Sequence, residues 1–361
     1  MNGRTRLKFR QLIILTVAWL LVGCAMAIYD YLVLHSIYSQ GPSEEYSFSF
    51  SLAMNAGSAL VGSLLGGSFL IFFVNVKYQD KSYGYTLIAV SISFMLIILL
   101  IMCMLGLVTV PIRTGRPLSD PESIQALKIF FTDKSRIKNM VSWSIVVAMT
   151  QLVLQINSKF GHGALGDIIR GKYNTPKEEK RIFMFLDLNS STTIAERLGD
   201  ERYHELLKDF FSDITNPILD NNGEIYQYVG DEVIVAWKYE DGVRDNQCVK
   251  CFFDIKVHIE KLREKYLNRY GLVPAFKAGL HCGKVVAGEV GIIKRDITYS
   301  GDVLNTTSRI LTLCKKFNAE ILTSADLIAE LNLSKQYEAR PLGSIKLRGK
   351  EKEVVLSTVS I

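Results

Sequence analysis

Two kinds of periodicity divide this chain. Up to about residue 156 the apolar positions run on with no polar face, in four long stretches: Leu12 to Leu34, Phe50 to Val76, Tyr85 to Val110 and Asn139 to Ile156. A bilayer core takes roughly 20 apolar helical residues, so each stretch predicts a membrane span. From residue 181 onward the apolar runs shorten and alternate with amphipathic ones. Strands are predicted over 182–188, 275–281, 285–289, 296–300, 320–323, 343–347 and 353–359, a hairpin over 224–237, and helices over 200–220, 244–270 and 302–317. Strands interleaved with helices and hairpins imply an α+β domain, one sheet with helices packed on it. The expected organisation is a helical membrane bundle over 1–158, a cytoplasmic coupling helix and linker over 159–180, and an α+β domain over 181–361. Phe160, Leu165, Ile168 and Ile169 give the coupling helix its apolar face, and the charged run Lys177 to Arg181 reads as solvated linker.

Charge adds an orientation. The net charge of +6 comes mostly from residues 1–158, which hold 12 Lys/Arg against 7 Asp/Glu. Arg4, Arg6, Lys8 and Arg10 precede the first span, while Ser39 to Ser47 carries no Lys or Arg. Positive charge stays on the cytoplasmic side, so the N-terminus is expected inside the cell membrane and the first loop outside. Four spans return the chain to the cytoplasm. The loop from Pro111 to Lys138 opposes this, being external yet basic (Arg113, Arg116, Lys128, Lys134, Arg136, Lys138); Pro121 to Phe131 within it reads as a surface helix. The first apolar run is too long for a signal-peptide core of 7–15 residues, which favours an anchor. No basic stripe interleaved with aromatics argues for nucleic acid; membrane lipid is the expected partner.

Other features are read as structural. Gly62 and Gly66 have small-xxx-small spacing, which lets helices approach closely. Asp30 reads as an interfacial residue at the outer end of its span. Cys248 and Cys251 form a C-x-x-C, but no second pair accompanies them, so a zinc site is not implied and both are expected in the core.

The candidate chemistry lies in the second half. Asp187 ends the apolar run Ile182 to Leu186 and is followed by the turn-prone Asn189-Ser190-Ser191-Thr192; Asp231 sits at the tip of a Gly-Asp hairpin. Carboxylates at a strand end and a hairpin tip can converge on a hard cation such as Mg²⁺. Asn305 and Arg309, at i and i+4, put an amide and a fixed cation on one helix face. Such a set suits chemistry on a nucleoside triphosphate.

In order along the chain, Phe185-Leu186-Asp187-Leu188, Val229-Gly230-Asp231-Glu232, Gly279 to Gly288, Asn305 to Arg309 and Gly349-Lys350 resemble the catalytic domain of the class III nucleotide cyclases. The resemblance covers residues 181–361 and implies a ferredoxin-like core and adenylyl cyclase activity, converting ATP to 3′,5′-cyclic AMP and pyrophosphate at a homodimer interface. It implies two Mg²⁺ or Mn²⁺ ions per site on Asp187, Asp231 and the carbonyl of Leu188. It makes Asn305 and Arg309 catalytic, and Ser190, Ser191, Thr192, Lys284 and Lys350 phosphate contacts. Gln227 and Thr298 fall where the family reads the base. The family's ATP enzymes commonly have Lys at the first position, so Gln227 departs from the pattern; Thr298 leans to ATP. Both side chains donate and accept hydrogen bonds, so a guanylyl cyclase stays open. So do an inactive nucleotide-binding module and, from Val229 to Val233, a diguanylate cyclase. Asn305, Arg309 and Lys350 are unexplained in that last reading.

Overall fold

The computed structural model describes residues 3–37, 47–78, 81–160, 166, 170–293, 295–333, 336–347 and 353–361. The chain divides into two compact units, Leu7–Leu165 and Gly166–Ile361, the second also including Met1–Arg6.

The first unit is helical. Long helices α1 (Gly3–Ile37), α2 (Phe48–Lys77), α3 (Tyr83–Thr114) and α5 (Lys134–Phe160) enclose the short α4 (Pro121–Thr132) in chain order. Each of the four long helices contains a stretch long and apolar enough to cross a membrane. Helix α4 is the one predicted inside the basic loop. It starts on Pro121, with Asp120 capping the Glu122 amide, where proline's missing N–H costs nothing. The core gathers on Trp19, whose indole donates to Thr150 at 3.0 Å and packs on Trp143. The glycine spacing in α2 serves this packing. A Cβ on Gly62 would reach Trp19 at 3.4 Å, and one on Gly66 would reach Phe94 at 2.9 Å. Around these glycines α2 widens into π-helical turns over Ser63–Gly67 and Phe69–Val74. Asp30 forms an ion pair with Lys138. Of the coupling helix, residues 161–165 and 167–169 lie outside the described residues.

The second unit is a mixed α/β domain, as expected. Its strands are β1 (Lys177–Leu188), β2 (Glu224–Val229), β3 (Glu232–Lys238), β4 (Phe276–Val290), β5 (Asp296–Ser300), β6 (Ile321–Ser324), β7 (Glu338–Lys346) and β8 (Glu353–Ser360). They form one sheet in the order β2-β3-β1-β4-β6-β8-β7, with β5 paired to β4. The central β1 is antiparallel to both β3 and β4, and β4 is parallel to β6. Helices α6 (Ser191–Leu198), α7 (Asp200–Asp220), α8 (Tyr239–Val243), α9 (Gln247–Lys261), α10 (Arg263–Tyr270), α11 (Asp302–Phe317) and α12 (Ala325–Glu330) complete it.

The strict period of two in β1 explains the two cores. Ile182, Met184, Leu186 and Leu188 join one cluster with Phe210 and Ile214 of α7 and Phe252 and Ile255 of α9. Phe183 and Phe185 face the other cluster, with Ile310 and Leu311 of α11 and Leu356 of β8. Successive strand residues point to opposite faces, so one strand serves both. Cys248 and Cys251 are fully buried in the first cluster, as expected of core thiols, and burial pushes the Cys248 thiol up to about 12.

Two differences from the sequence pattern bear on the site. The charged run from Lys177, expected as linker, is the first part of β1, because Lys177 to Arg181 pair with Ala287 to Gly283. The two strands expected over 275–289 are one, since Gly283 does not break it. That glycine leaves room for Val303 at the start of α11.

Candidate active site

Sheet register places the acidic residues. Asp187, next to last in β1, lies opposite Glu232 of β3 on one side and Lys277 of β4 on the other. Asp231 is in the β2–β3 turn, where Gly230 adopts a positive φ of 63°, a conformation glycine enters without steric cost. Asp187 and Asp231 are close enough for the charge of Asp231 to act on Asp187. With Val229, Glu232 and Lys277, and with Ser308, Leu311 and Thr312 of α11, they line a shallow recess of about 260 Å³.

Burial and crowded negative charge together set the electrostatics there. Burial raises the Asp187 pKa, Asp231 raises it further, and the Lys277 ammonium, 3.0 Å away, opposes both. The Glu232 carboxyl is pushed up to about 7, first by burial and then by the charges of Asp187 and Asp231. A half-buried recess with oxygen donors and surplus negative charge fits a hard divalent cation. Among the described residues no cluster of three or more His, Cys, Asp or Glu could form a cage.

The turn after β1 is distinctive. The Asn189 amide donates to the Ala275 carbonyl at 2.8 Å, so it is not free for phosphate. Ser190 has a left-handed backbone (φ 58°) and leads into α6, which begins at Ser191 and carries Thr192 in its first turn. Left-handed conformation is uncommon for a residue with a Cβ, and it turns the chain sharply beside Asp187. Burial and the nearby Asp231 raise the pKa of Tyr203 on α7, and the neighbouring Ser191 opposes them.

The remaining candidates fall elsewhere in the chain. Asn305 is exposed and Arg309 half-buried on α11, and neither lines the recess that Ser308 and Thr312 do. Lys284 lies seven residues beyond Lys277 on β4, on the order of 23 Å along the strand, where it pairs with Glu178 at 2.7 Å. Gln227 is exposed on β2 and Thr298 half-buried on β5. Their neighbours Tyr226 and Tyr299 are in contact, with ring centroids 4.9 Å apart. Lys350 lies outside the described residues. Lys277 is the residue sequence reasoning missed; its place in Phe276 to Leu280, on the strand pairing with β1, was the only signal.

Residues 174–358 match the family described as Adenylate and Guanylate cyclase catalytic domain. Adenylate cyclase 2 of Rhizobium meliloti (strain 1021) is 39% identical over 206 residues, which are 57% of this chain and 57% of that protein. An adenylate cyclase of Anabaena cylindrica is 25% identical over 186 residues, 49% of this chain and 36% of that one. The chain thus spans little more than half the length of these relatives, or less. Among solved structures, a bacterial light-regulated adenylyl cyclase superposes with a TM-score of 0.54 at 22% identity, covering 63% of this chain and 67% of that one; this likeness concerns the fold. By the family match over half its length, this chain belongs to the adenylate and guanylate cyclase catalytic domain family.

Proposed function

We propose that this protein is a membrane-anchored class III adenylyl cyclase that converts ATP to 3′,5′-cyclic AMP and pyrophosphate as a homodimer. The observation that carries the reading is the recess where Asp187 and Asp231 converge beside Lys277 in a domain of the cyclase family. The ribose 3′-oxygen attacks the α-phosphorus, loses its proton, and displaces pyrophosphate as the α–β bond breaks. Two Mg²⁺ or Mn²⁺ ions, when bound, would acidify the 3′-hydroxyl and neutralise the triphosphate. Asp187, Asp231 and the Leu188 carbonyl would hold them. Lys277 lies where it can meet a phosphate oxygen once a cation takes over Asp187, and the amides and hydroxyls from Ser190 to Thr192 sit at a helix start, which favours anions.

Asn305 and Arg309 stand outside the recess of their own chain, which supports a site completed by a second copy. In that arrangement Arg309 stabilises charge on the α-phosphate and Asn305 orients the ribose. Lys284, distant from its own carboxylates, and Lys350 are the further phosphate contacts the resemblance implies. Gln227 and Thr298 read the base; because both are two-way hydrogen-bonders, guanylyl cyclase activity is the second reading.

The four apolar helices would anchor the protein in the cell (inner) membrane, with the N-terminus and catalytic domain in the cytoplasm. The deciding experiment is product analysis of the full chain with ATP and GTP separately, in Mg²⁺ and in Mn²⁺. Asp187→Asn and Asp231→Asn should each abolish turnover while the protein stays folded. Near-full activity in either would refute the metal assignment.

A further inference from the structure

A second charged cluster lies away from the recess, around Arg181. Its side chain is only 2% exposed, although it carries a permanent charge. Nε and Nη2 donate to Glu179 at 2.9 and 2.7 Å, and Nη1 to Glu224 at 3.2 Å. Nη2 also donates to the Tyr173 hydroxyl at 3.5 Å, and the guanidinium lies 5.0 Å from the Tyr299 ring centroid. One side chain thereby ties together β1, the first residue of β2, the segment preceding β1, and β5.

These contacts lead to the base-reading positions. Tyr299 packs on Tyr226 and donates its backbone N–H to the Tyr226 hydroxyl at 3.3 Å. Gln227 follows Tyr226 and Thr298 precedes Tyr299. The β2–β3 register slips by one between Ile225 and Gln227, and such bulges re-aim side chains. Glu224, one residue before Ile225, is pinned by Arg181. Stability alone does not require this cluster, because well-packed apolar residues can often replace a buried ionic group at no cost. A planar five-donor fork that reaches several strands at once serves geometry.

We propose that Arg181 is a positioning residue for nucleobase selection: through Glu224 and the Tyr299 ring it fixes the Tyr226–Tyr299 pair, and with it the placement of Gln227 relative to Thr298. The inference rests on Gln227 and Thr298 being the base-reading pair. Arg181 touches neither the metal recess nor the reacting phosphorus, so its loss should appear in nucleotide affinity.

The test is steady-state kinetics of the detergent-purified full chain with ATP and GTP, for Arg181→Met, Tyr299→Leu and Gln227→Ala. For Arg181→Met the KM for ATP should rise about tenfold, the scale of a lost hydrogen bond to the base. The ATP-to-GTP ratio of kcat/KM should move, kcat should stay within about threefold, and the Mn²⁺ activation midpoint should not change. A merely structural role would lower kcat per total protein and leave KM alone, and that outcome overturns the proposal. If Arg181→Met does not fold, Tyr299→Leu keeps the Arg181 ion pairs and removes the aromatic ring with its hydroxyl; it should reproduce the KM effect, and an unchanged KM overturns the proposal. Gln227→Ala separates the two failures. If it changes neither KM nor the nucleotide ratio, the base-reading assignment is wrong; if it changes them while Arg181→Met and Tyr299→Leu do not, only the positioning role is wrong.

Discussion

Gly279→Ala is a small substitution that should disturb both the fold and the chemistry. Gly279 lies on β4 opposite Phe185 of β1, directly beneath α11. A Cβ there would stand 2.6 Å from the Leu311 nitrogen, 2.9 Å from the Leu311 Cα and 2.9 Å from the Thr307 carbonyl oxygen. All three atoms are main-chain, so no rotamer change relieves the clash. Unstrained heavy-atom contacts lie at about 3.5–4.0 Å, so the helix must retreat by about 1 Å. Overpacking of this kind costs about 1–3 kcal/mol, which for a domain of this size lowers Tm by roughly 3–10 °C. Helix α11 also carries Asn305 and Arg309 and supplies Ser308 and Thr312 to the recess. A misplacement of about 1 Å can cost on the order of 100-fold in rate, so activity should fall much further than stability. The assay pairs cyclic nucleotide formation with thermal melting of the full chain, following the transition that Mn²⁺ shifts, since ligand binding marks the domain that binds it. A Gly279→Ala protein with unchanged Tm and unchanged kcat/KM would refute the close contact between β4 and α11.

Three further outcomes are expected. Asp187→Ala and Arg309→Ala should each be inactive alone, yet co-expression should restore ~25% of wild-type activity, since half of randomly paired dimers are mixed and each mixed dimer keeps one intact site; proven mixed dimers without activity would point to a self-contained site. Gln227→Lys should sharpen the preference for ATP over GTP, and an unchanged ratio would remove Gln227 from base reading. The Glu232 carboxyl, ordinarily at 4.5 and here pushed up to about 7, keeps a proton in the folded metal-free protein that the unfolded chain has already released. Its contribution to stability is therefore lost as pH rises from about 4.5 to 7. In EDTA the Tm of wild type should fall across that window relative to Glu232→Gln, and parallel profiles would contradict the shift.

Local pattern alone was enough for what depends on neighbouring residues. Uninterrupted apolar stretches marked the four helices, since length and hydropathy are properties of one segment. Asp187 at a strand end and Asp231 at a Gly-Asp turn were legible because the strand that ends there and the turn that follows are written within a few residues. The order of motifs then identified the family. What the sequence did not disclose is which distant residues meet. Lys277 is 90 positions from Asp187, and only the antiparallel register of β1 and β4 sets it 3.0 Å from that carboxylate. Lys177 to Arg181 read as solvated linker because charged residues are ordinarily exposed. Pairing with β4 draws them into the sheet, and the carboxylates of Glu179 and Glu224 with the Tyr299 ring make burial of the Arg181 charge tolerable. Composition decides which segments leave water; only the sheet, by fixing which strands lie side by side, decides which charges face each other once they have.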